Sequence, residues 1–354
     1  MKRTLLTTLA FSTLGLLQAQ TTQPPVIHIT LLGTGIPLLN VAAYAPGTTF
    51  RSNAGTLVEA GGERFLLDCG QGILNRLLQS GGADPVNNPN VAVDKIFISH
   101  MHSDHMSDLP AIYSYGWLFR YDDPLQVWGP GPGPNGPFGM AAVMPLLRLV
   151  WDTDVNVRSN FKQAVLNFPP SGMAPIGTEL REGVVYSNNG VTVTAFLVDH
   201  HPVAPAYGFR IDYRGKSVTY SGDTTYNTNL VAHAAGTDVL LHEIYGFPRA
   251  AFPEFYDYHT SPEDFARVVA GTGAKLPVFT HIATGPGTVD DLLTRTRAAG
   301  YTGPLQVGAD LMTIDIFADK TVVNQPPKTA ADSEMKVHLP DGGMLPARVR
   351  PIIP

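Results

Sequence analysis

Two β-sheets packed face to face in one α/β domain, with helices on the outer faces, are the architecture this 354-residue sequence predicts. Three observations lead there. Short apolar runs of strand length recur through both halves of the chain, interleaved with segments of helical spacing. The two halves share a plan, strand-rich first and then strands alternating with helices. No self-similarity at a period of about 20–50 residues is visible, which sets repeat architectures aside.

Composition agrees with a globular enzyme-sized core. The chain is 44% hydrophobic and only 15% charged, and its 35 glycines and 30 prolines imply many turns and short connections. A net charge of -6 offers no evident basic face for a phosphate backbone, which disfavours nucleic acid as a partner. Residues 1–19 read as an export signal: Lys2 and Arg3 lead, an apolar run follows from Leu5 to Leu17, and small Ala19 marks a cleavage position. That run is short for a bilayer, so no stable membrane anchor is expected. The expected location is therefore periplasmic or secreted. Cys69 is the only cysteine, so no intramolecular disulfide can form.

Residues 20–318 are expected to form the single folded domain, and 319–354 a Pro-containing extension of little periodicity. Residues 26–32 read as a buried strand ending in the turn Gly33-Thr34-Gly35. Residues 55–59 and 64–67 flank Gly61-Gly62 as a hairpin. Asp68 follows at a strand end, where it can orient an imidazole, and 73–78 has helical spacing. Residues 95–99 form a strand, and 108–117 a helix with Asp108 as N-cap. Five prolines between 124 and 137 mark an irregular excursion, and 140–151 returns to a helical apolar pattern. In the second half, strands are expected at 191–198, 206–213, 217–221, 239–241 and 277–280, with further short strands near Leu305 and Met312. Helices are expected at 226–233, at 289–299 and at 261–270, where Ser261 caps and Pro262 opens the first turn.

The densest chemistry is Ser99-His100-Met101-His102-Ser103-Asp104-His105. Three imidazoles and a carboxylate, right after an apolar strand, are donors that a divalent metal such as zinc accepts. In extended backbone His100 and His102 point the same way, and a turn can bring Asp104 and His105 to a second position nearby. His200, Asp223, Glu243 and His281 each follow another apolar strand, where sites gather in sheet proteins with helical connections. Donor counting divides these residues into two sites. His100, His102 and His200 form one, Asp104, His105 and His281 the other, and Asp223 bridges them. Such a pair of metals activates water.

This set, His100-Met101-His102-Ser103-Asp104-His105 followed by His200, Asp223 and His281, resembles the metallo-β-lactamase-fold hydrolases over residues 27–317. The resemblance implies a four-layer αβ/βα sandwich and two zinc ions per chain, with manganese or iron as alternatives. It also favours His200 over His201 as the ligand. Ser221-Gly222-Asp223-Thr224, His242-Glu243, Tyr258-His259-Thr260-Ser261 and Thr280-His281-Ile282 narrow it to the ribonuclease Z and arylsulfatase-like branch. There the positions of Glu243 and His259 form a pair that protonates the leaving group. A carboxylate beside an imidazole is expected to orient it and raise its pKa. Asp104 is counted both as a ligand and with the catalytic groups.

Residues 118–160 show no basic, Gly-rich RNA-clamping arm. Asp108-Leu109-Pro110, Gly116-Trp117 and Trp128-Gly129-Pro130 are closer to the arylsulfatase-like group. The expectation is an exported dinuclear zinc hydrolase in which metal-bound hydroxide attacks a sulfate or phosphodiester in a small anionic substrate. Tyr207 and Asn53 are candidates to line the pocket. A lactonase or carboxylester hydrolase with the same metals is the alternative enzyme, and a metal-dependent binding protein the alternative without turnover. A homodimer is left open.

Overall fold

A computed structural model describes residues 23–37, 51–81, 89–120, 122–160 and 168–326, together with the strands Val337–His338 and Met344–Leu345. The expected export signal and most of the expected extension lie outside the described residues.

The first half supplies β1 (Ile27–Gly33), β2 (Gly55–Ala60), β3 (Glu63–Leu67), β4 (Lys95–Phe97), β5 (Gln126–Gly129) and β6 (Ile176–Glu179). The second supplies β7 (Gly183–Asn188), β8 (Val191–Val198), β9 (Ala206–Tyr213), β10 (Lys216–Tyr220), β11 (Val239–Tyr245), β12 (Leu276–Ala283) and β13 (Gln306–Val307). Strands β14 (Met312–Ile316) and β15 (Thr321–Asn324) return to the first sheet, whose order is β15-β14-β1-β2-β3-β4-β5-β6. The second sheet runs β13-β12-β11-β10-β9-β8-β7. The first sheet thus continues past residue 318, because Thr321–Asn324 pairs antiparallel with β14.

Strand periodicity sorts the side chains. Phe65, Leu67 and Phe97 point between the sheets, where they meet Phe209, Val218, Val239 and Val278. Their neighbours Leu66, Ile96 and Ile98 point outward. Outside the first sheet lie α1 (Ile73–Ser80), α3 (Leu109–Arg120) and α4 (Met140–Val150), reached through the one-turn α2 (Ser103–Met106); α5 (Asp152–Asn160) follows α4. Outside the second lie α6 (Thr228–His233), α7 (Pro262–Thr272) and α8 (Val289–Ala298). The result is a four-layer αβ/βα sandwich. Phe97 stacks on Trp128 at 4.7 Å and meets Phe209 of the opposite sheet edge-on at 5.6 Å. Each such fully buried side chain contributes about 1.5–3 kcal/mol.

Two expectations need correction here. Asp108 stands at the N-cap position of α3, its carbonyl accepting from the Ile112 N–H at 2.8 Å, but its side chain does not cap that helix. Its Oδ2 accepts from the backbone N–H groups of Gly72 and Leu74, at 3.0 and 2.9 Å, and so serves the N-terminus of α1. Helix α1 begins at Gly72, which has no capping side chain of its own, and the carboxylate of another segment fills that role. The proline-containing stretch also carries a strand, β5, at the side of β4.

The parallel strands position the site. β3, β4 and β5 run parallel, as do β10, β11 and β12, and the residues just past their carboxyl ends converge. Tyr207 N–H donates to the Ser99 carbonyl at 2.9 Å, tying the rims of the two sheets together.

Candidate active site

Three local devices bring the donors to this rim. Asp68 follows β3 in left-handed backbone, φ 58°, and is fully buried. Gly70 has no Cβ, and one built there would lie 1.9 Å from the Asp104 carbonyl, so only glycine lets the turn at Asp104 seat itself. His281 is a β-bulge. Glu243 opposes Thr280 and Ile244 opposes Ile282, and the unpaired His281 has φ 44°. The bulge turns its imidazole out of the ladder and into the cluster.

The structure brings all seven expected ligands together. His102 Nδ1 lies 3.1 Å from His100 Nε2 and 3.2 Å from His200 Nε2. Asp223 Oδ2 lies 3.1 Å from His281 Nε2, 3.3 Å from His105 Nε2 and 3.9 Å from His100 Nε2. Asp104 Oδ2 is 3.6 Å from His105 Nε2 and 3.7 Å from His281 Nε2. Two donor groups, His100/His102/His200 and Asp104/His105/His281, are therefore compact, and Asp223 touches both. His200 is buried in the cluster, whereas His201 is exposed.

Nδ1 of four rings is already committed. His105 Nδ1 donates to Asp68 Oδ2 at 2.8 Å, His281 Nδ1 to the Gly35 carbonyl at 3.0 Å, and His200 Nδ1 to the Tyr258 carbonyl at 2.8 Å. His100 Nδ1 meets Ser99 Oγ at 3.0 Å, and that hydroxyl donates to Asp68 at 2.7 Å. Each Nε2 therefore turns a lone pair toward the cluster, the tautomer a metal requires. Asp68 fills the orienting role expected of it.

These donors fit a cation. Tetrahedral ligands at about 2.1 Å from a metal stand about 3.4 Å apart, the middle of the separations above. Buried Asp223 Oδ1 and His105 Nε2 have no hydrogen-bond partner. Electrostatics point the same way. Burial lowers His105, but Asp223 and Asp68 outweigh it and push the ring well above its ordinary value. Burial would raise Asp223, yet His281 and His105 hold it well below the usual carboxylate range. His200, buried and with its other neighbours mostly imidazoles, is pushed down to about 4. A cation between the donors satisfies all of these demands at once.

Glu243 and His259 form the expected pair. Glu243 Oε2 accepts from His259 Nδ1 at 2.7 Å, and Oε1 accepts from the Thr224 N–H at 2.6 Å. The His259 ring lies flat on Tyr245 at 4.3 Å. The expected rise in the imidazole pKa is not found. Burial lowers His259 to about 4 and, with help from Asp223, pushes Glu243 well above its usual range. Desolvation outweighs the attraction between partners.

Two clefts open on the cluster. The larger, about 770 Å³, is lined by His102, Asp104, Asp223, His259 and His281, and by an aromatic wall of Tyr245, Phe247, Phe252 and Phe255. The smaller, about 330 Å³, shares His102 and lies against the Pro130–Phe138 excursion and Val203–Pro205. Neither has a lysine or arginine among its described lining residues. Tyr207 and Asn53 line neither. The Tyr207 hydroxyl donates to the Leu180 carbonyl at 3.0 Å, and Asn53 is buried. The aromatic wall was not anticipated residue by residue, although five aromatics between 247 and 258 signalled it. His242 lies buried against Phe265, outside the cluster.

Comparison with known proteins agrees with this geometry. Residues 151–282 match the Beta-lactamase superfamily domain, and residues 27–128 match the family described as Anti-Pycsar protein Apyc1. The ribonuclease Z of Mycobacterium marinum is 31% identical over 307 residues, covering 83% of this chain and all of the relative. The chain belongs to the ribonuclease Z family. It is accordingly a metal-dependent hydrolase of ester bonds, a phosphodiesterase on the metallo-β-lactamase fold. Human tRNase Z, short form, superposes with a TM-score of 0.55 at 20% identity, over 82% of this chain and 99% of that one. Zn(2+)-bound PqqB from Methylobacterium extorquens superposes with a TM-score of 0.55 at 16% identity, over 82% and 100%. These two likenesses concern the fold. Membership of a ribonuclease family runs in part against the expectation, drawn from net charge, that nucleic acid is no partner. Among the described residues no helix is long and apolar enough to cross a membrane.

Proposed function

We propose that this protein is an exported phosphodiesterase for a small anionic ester with a planar or aromatic leaving group, and not a processor of folded RNA. One observation carries the reading: the larger cleft joins the donor cluster to an aromatic wall and has no basic side chain among its described lining residues. A structured RNA makes several phosphate contacts through cations, whereas one ring needs only a stacking face. The export reading rests on the composition of residues 1–19.

His100, His102 and His200 would hold one metal, and Asp104, His105 and His281 a second, with Asp223 reaching both; zinc suits this donor set. Such a pair, when bound, makes water acidic enough to attack near neutral pH and offsets the charge of the ester. The chain's own residues orient the reactants and move the proton. Asp104 lines the cleft and is placed to orient the attacking water. Delivery of a proton requires the Glu243–His259 pair to carry one proton beyond a carboxylate and a neutral imidazole. Burial draws that proton toward Glu243, and passage through the ring delivers it from Nε2. Water gives up one proton to solvent as its oxygen bonds to phosphorus, the bond to the leaving oxygen breaks, that oxygen takes the proton from His259, and the pair is reprotonated from solvent.

A sulfate monoester is the second reading, because it too places one negative charge around a tetrahedral centre beside a planar group. The test is a panel of bis-p-nitrophenyl phosphate, p-nitrophenyl sulfate and a lactone on zinc-loaded protein. Fastest turnover of the phosphodiester is expected. Dominant sulfate turnover would establish the second reading, and dominant lactone turnover would overturn both.

A further inference from the structure

The smaller cleft has no role in the chemistry above, and we infer that it is a subsite for the non-leaving substituent of a phosphodiester. The inference rests on the functional reading just given. His102 lines both clefts, so the two meet at the donor cluster. The departing oxygen must lie near His259, which lines only the larger one. The second organic substituent then has the smaller cleft as the concavity that His102 joins to the donor cluster.

Its lining names the class of group it takes. Met101, Phe138, Val203 and Pro205 are apolar, Asn135 is polar and uncharged, and the rest is glycine, alanine and proline apart from His102. The volume of about 330 Å³ is at the small end for ligand pockets, about 300–1,000 Å³. An uncharged ring or short chain fits, and a second phosphate has nothing there to neutralise it. The floor is built rather than incidental. Gly133 and Gly136 exchange backbone hydrogen bonds at 3.1 and 3.2 Å, and a Cβ on Gly133 would lie 1.9 Å from the Ala204 carbonyl. Gly136 differs: a Cβ there meets no atom within 4 Å, so a larger side chain can enter the cleft without displacing backbone.

The experiment uses two substrates with the same leaving group and charge, bis-p-nitrophenyl phosphate and methyl p-nitrophenyl phosphate, on the zinc-loaded full chain. They differ only in the substituent assigned to the smaller cleft. The readout is the ratio of their kcat/KM values. Gly136→Leu is expected to lower the bis-to-methyl ratio at least tenfold, and Phe138→Ala, which removes a wall, at least threefold. A ratio within twofold of wild type in both variants would overturn the inference, as would a parallel fall on both substrates. Turnover of neither substrate by the wild-type protein would overturn the phosphodiesterase reading itself, and the subsite with it.

Discussion

Replacing Asp68 by Asn isolates the group that anchors the site from beneath. The buried carboxylate accepts four bonds: from Ser99 N–H and Ser99 Oγ, each at 2.7 Å, from Tyr220 OH at 2.7 Å, and from His105 Nδ1 at 2.8 Å. Asn tolerates the left-handed backbone found there, so the substitution tests the side chain and not the turn. An amide has one oxygen. Its best orientation keeps that oxygen at Oδ2, where three donors converge, and turns its NH2 against the Ser99 N–H. One buried donor is left facing another, and three bonds lose their charge assistance. A cost of about 2–4 kcal/mol in metal-free stability follows. His105 then bonds a neutral oxygen in place of a charged one, which holds its tautomer less firmly, so metal affinity should fall about 10–100-fold. Urea denaturation of the chelated protein and zinc titration measure the two effects. Unchanged stability together with affinity within twofold of wild type would refute the role given to Asp68.

Other expectations are equally direct. His259→Ala and Glu243→Gln should lower kcat about 10²–10⁴-fold on an alkyl phosphodiester, whose leaving group needs a proton, and far less on a p-nitrophenyl ester; equal losses on both would exclude the pair as proton donor. Phe255→Ala should raise KM for aryl esters about two- to tenfold with little change in kcat, and an unchanged KM would remove the aromatic wall from binding. His242 is held neutral by burial, its pKa lowered to about 4, whereas the unfolded ring takes a proton below about 6.5. Its contribution is complete above pH 6.5 and is lost as pH falls toward 4, by about 3 kcal/mol at most. His242→Leu should flatten that acid limb in metal-free denaturation curves; a slope equal to wild type would contradict the assignment.

The clustered donors were legible because each combines a donor side chain with a strand end, a local signal that survives without coordinates. His100 to His105 lies within one turn of chain, and His200 and Asp223 each follow an alternating run. What escaped depends on partners remote in sequence. Asp108 looks like the cap of the helix it precedes, yet its acceptor is spent on Gly72 and Leu74, more than thirty residues upstream. His281 reads as a residue beyond a strand, and only the pairing with β11 reveals the bulge that aims it. β6 is a largely exposed edge strand with no alternation to announce it. The aromatic wall runs from Tyr245 at the end of β11 through turns into a single 3-10 turn, Pro253–Asp257, so no periodicity told which rings face the cleft. The opposed pKa shifts of Glu243 and His259 follow from how deeply the pair is buried, which spacing alone does not give.

We propose that the clustered histidines and carboxylates hold two metals on which phosphodiester hydrolysis depends. The most direct test is a chelator titration that follows metal content per chain and bis-p-nitrophenyl phosphate turnover in the same samples. Two ions per chain are expected at the start, with turnover that disappears as they are withdrawn and returns with zinc. Fewer than one ion per chain, with turnover undiminished by chelation, would contradict it.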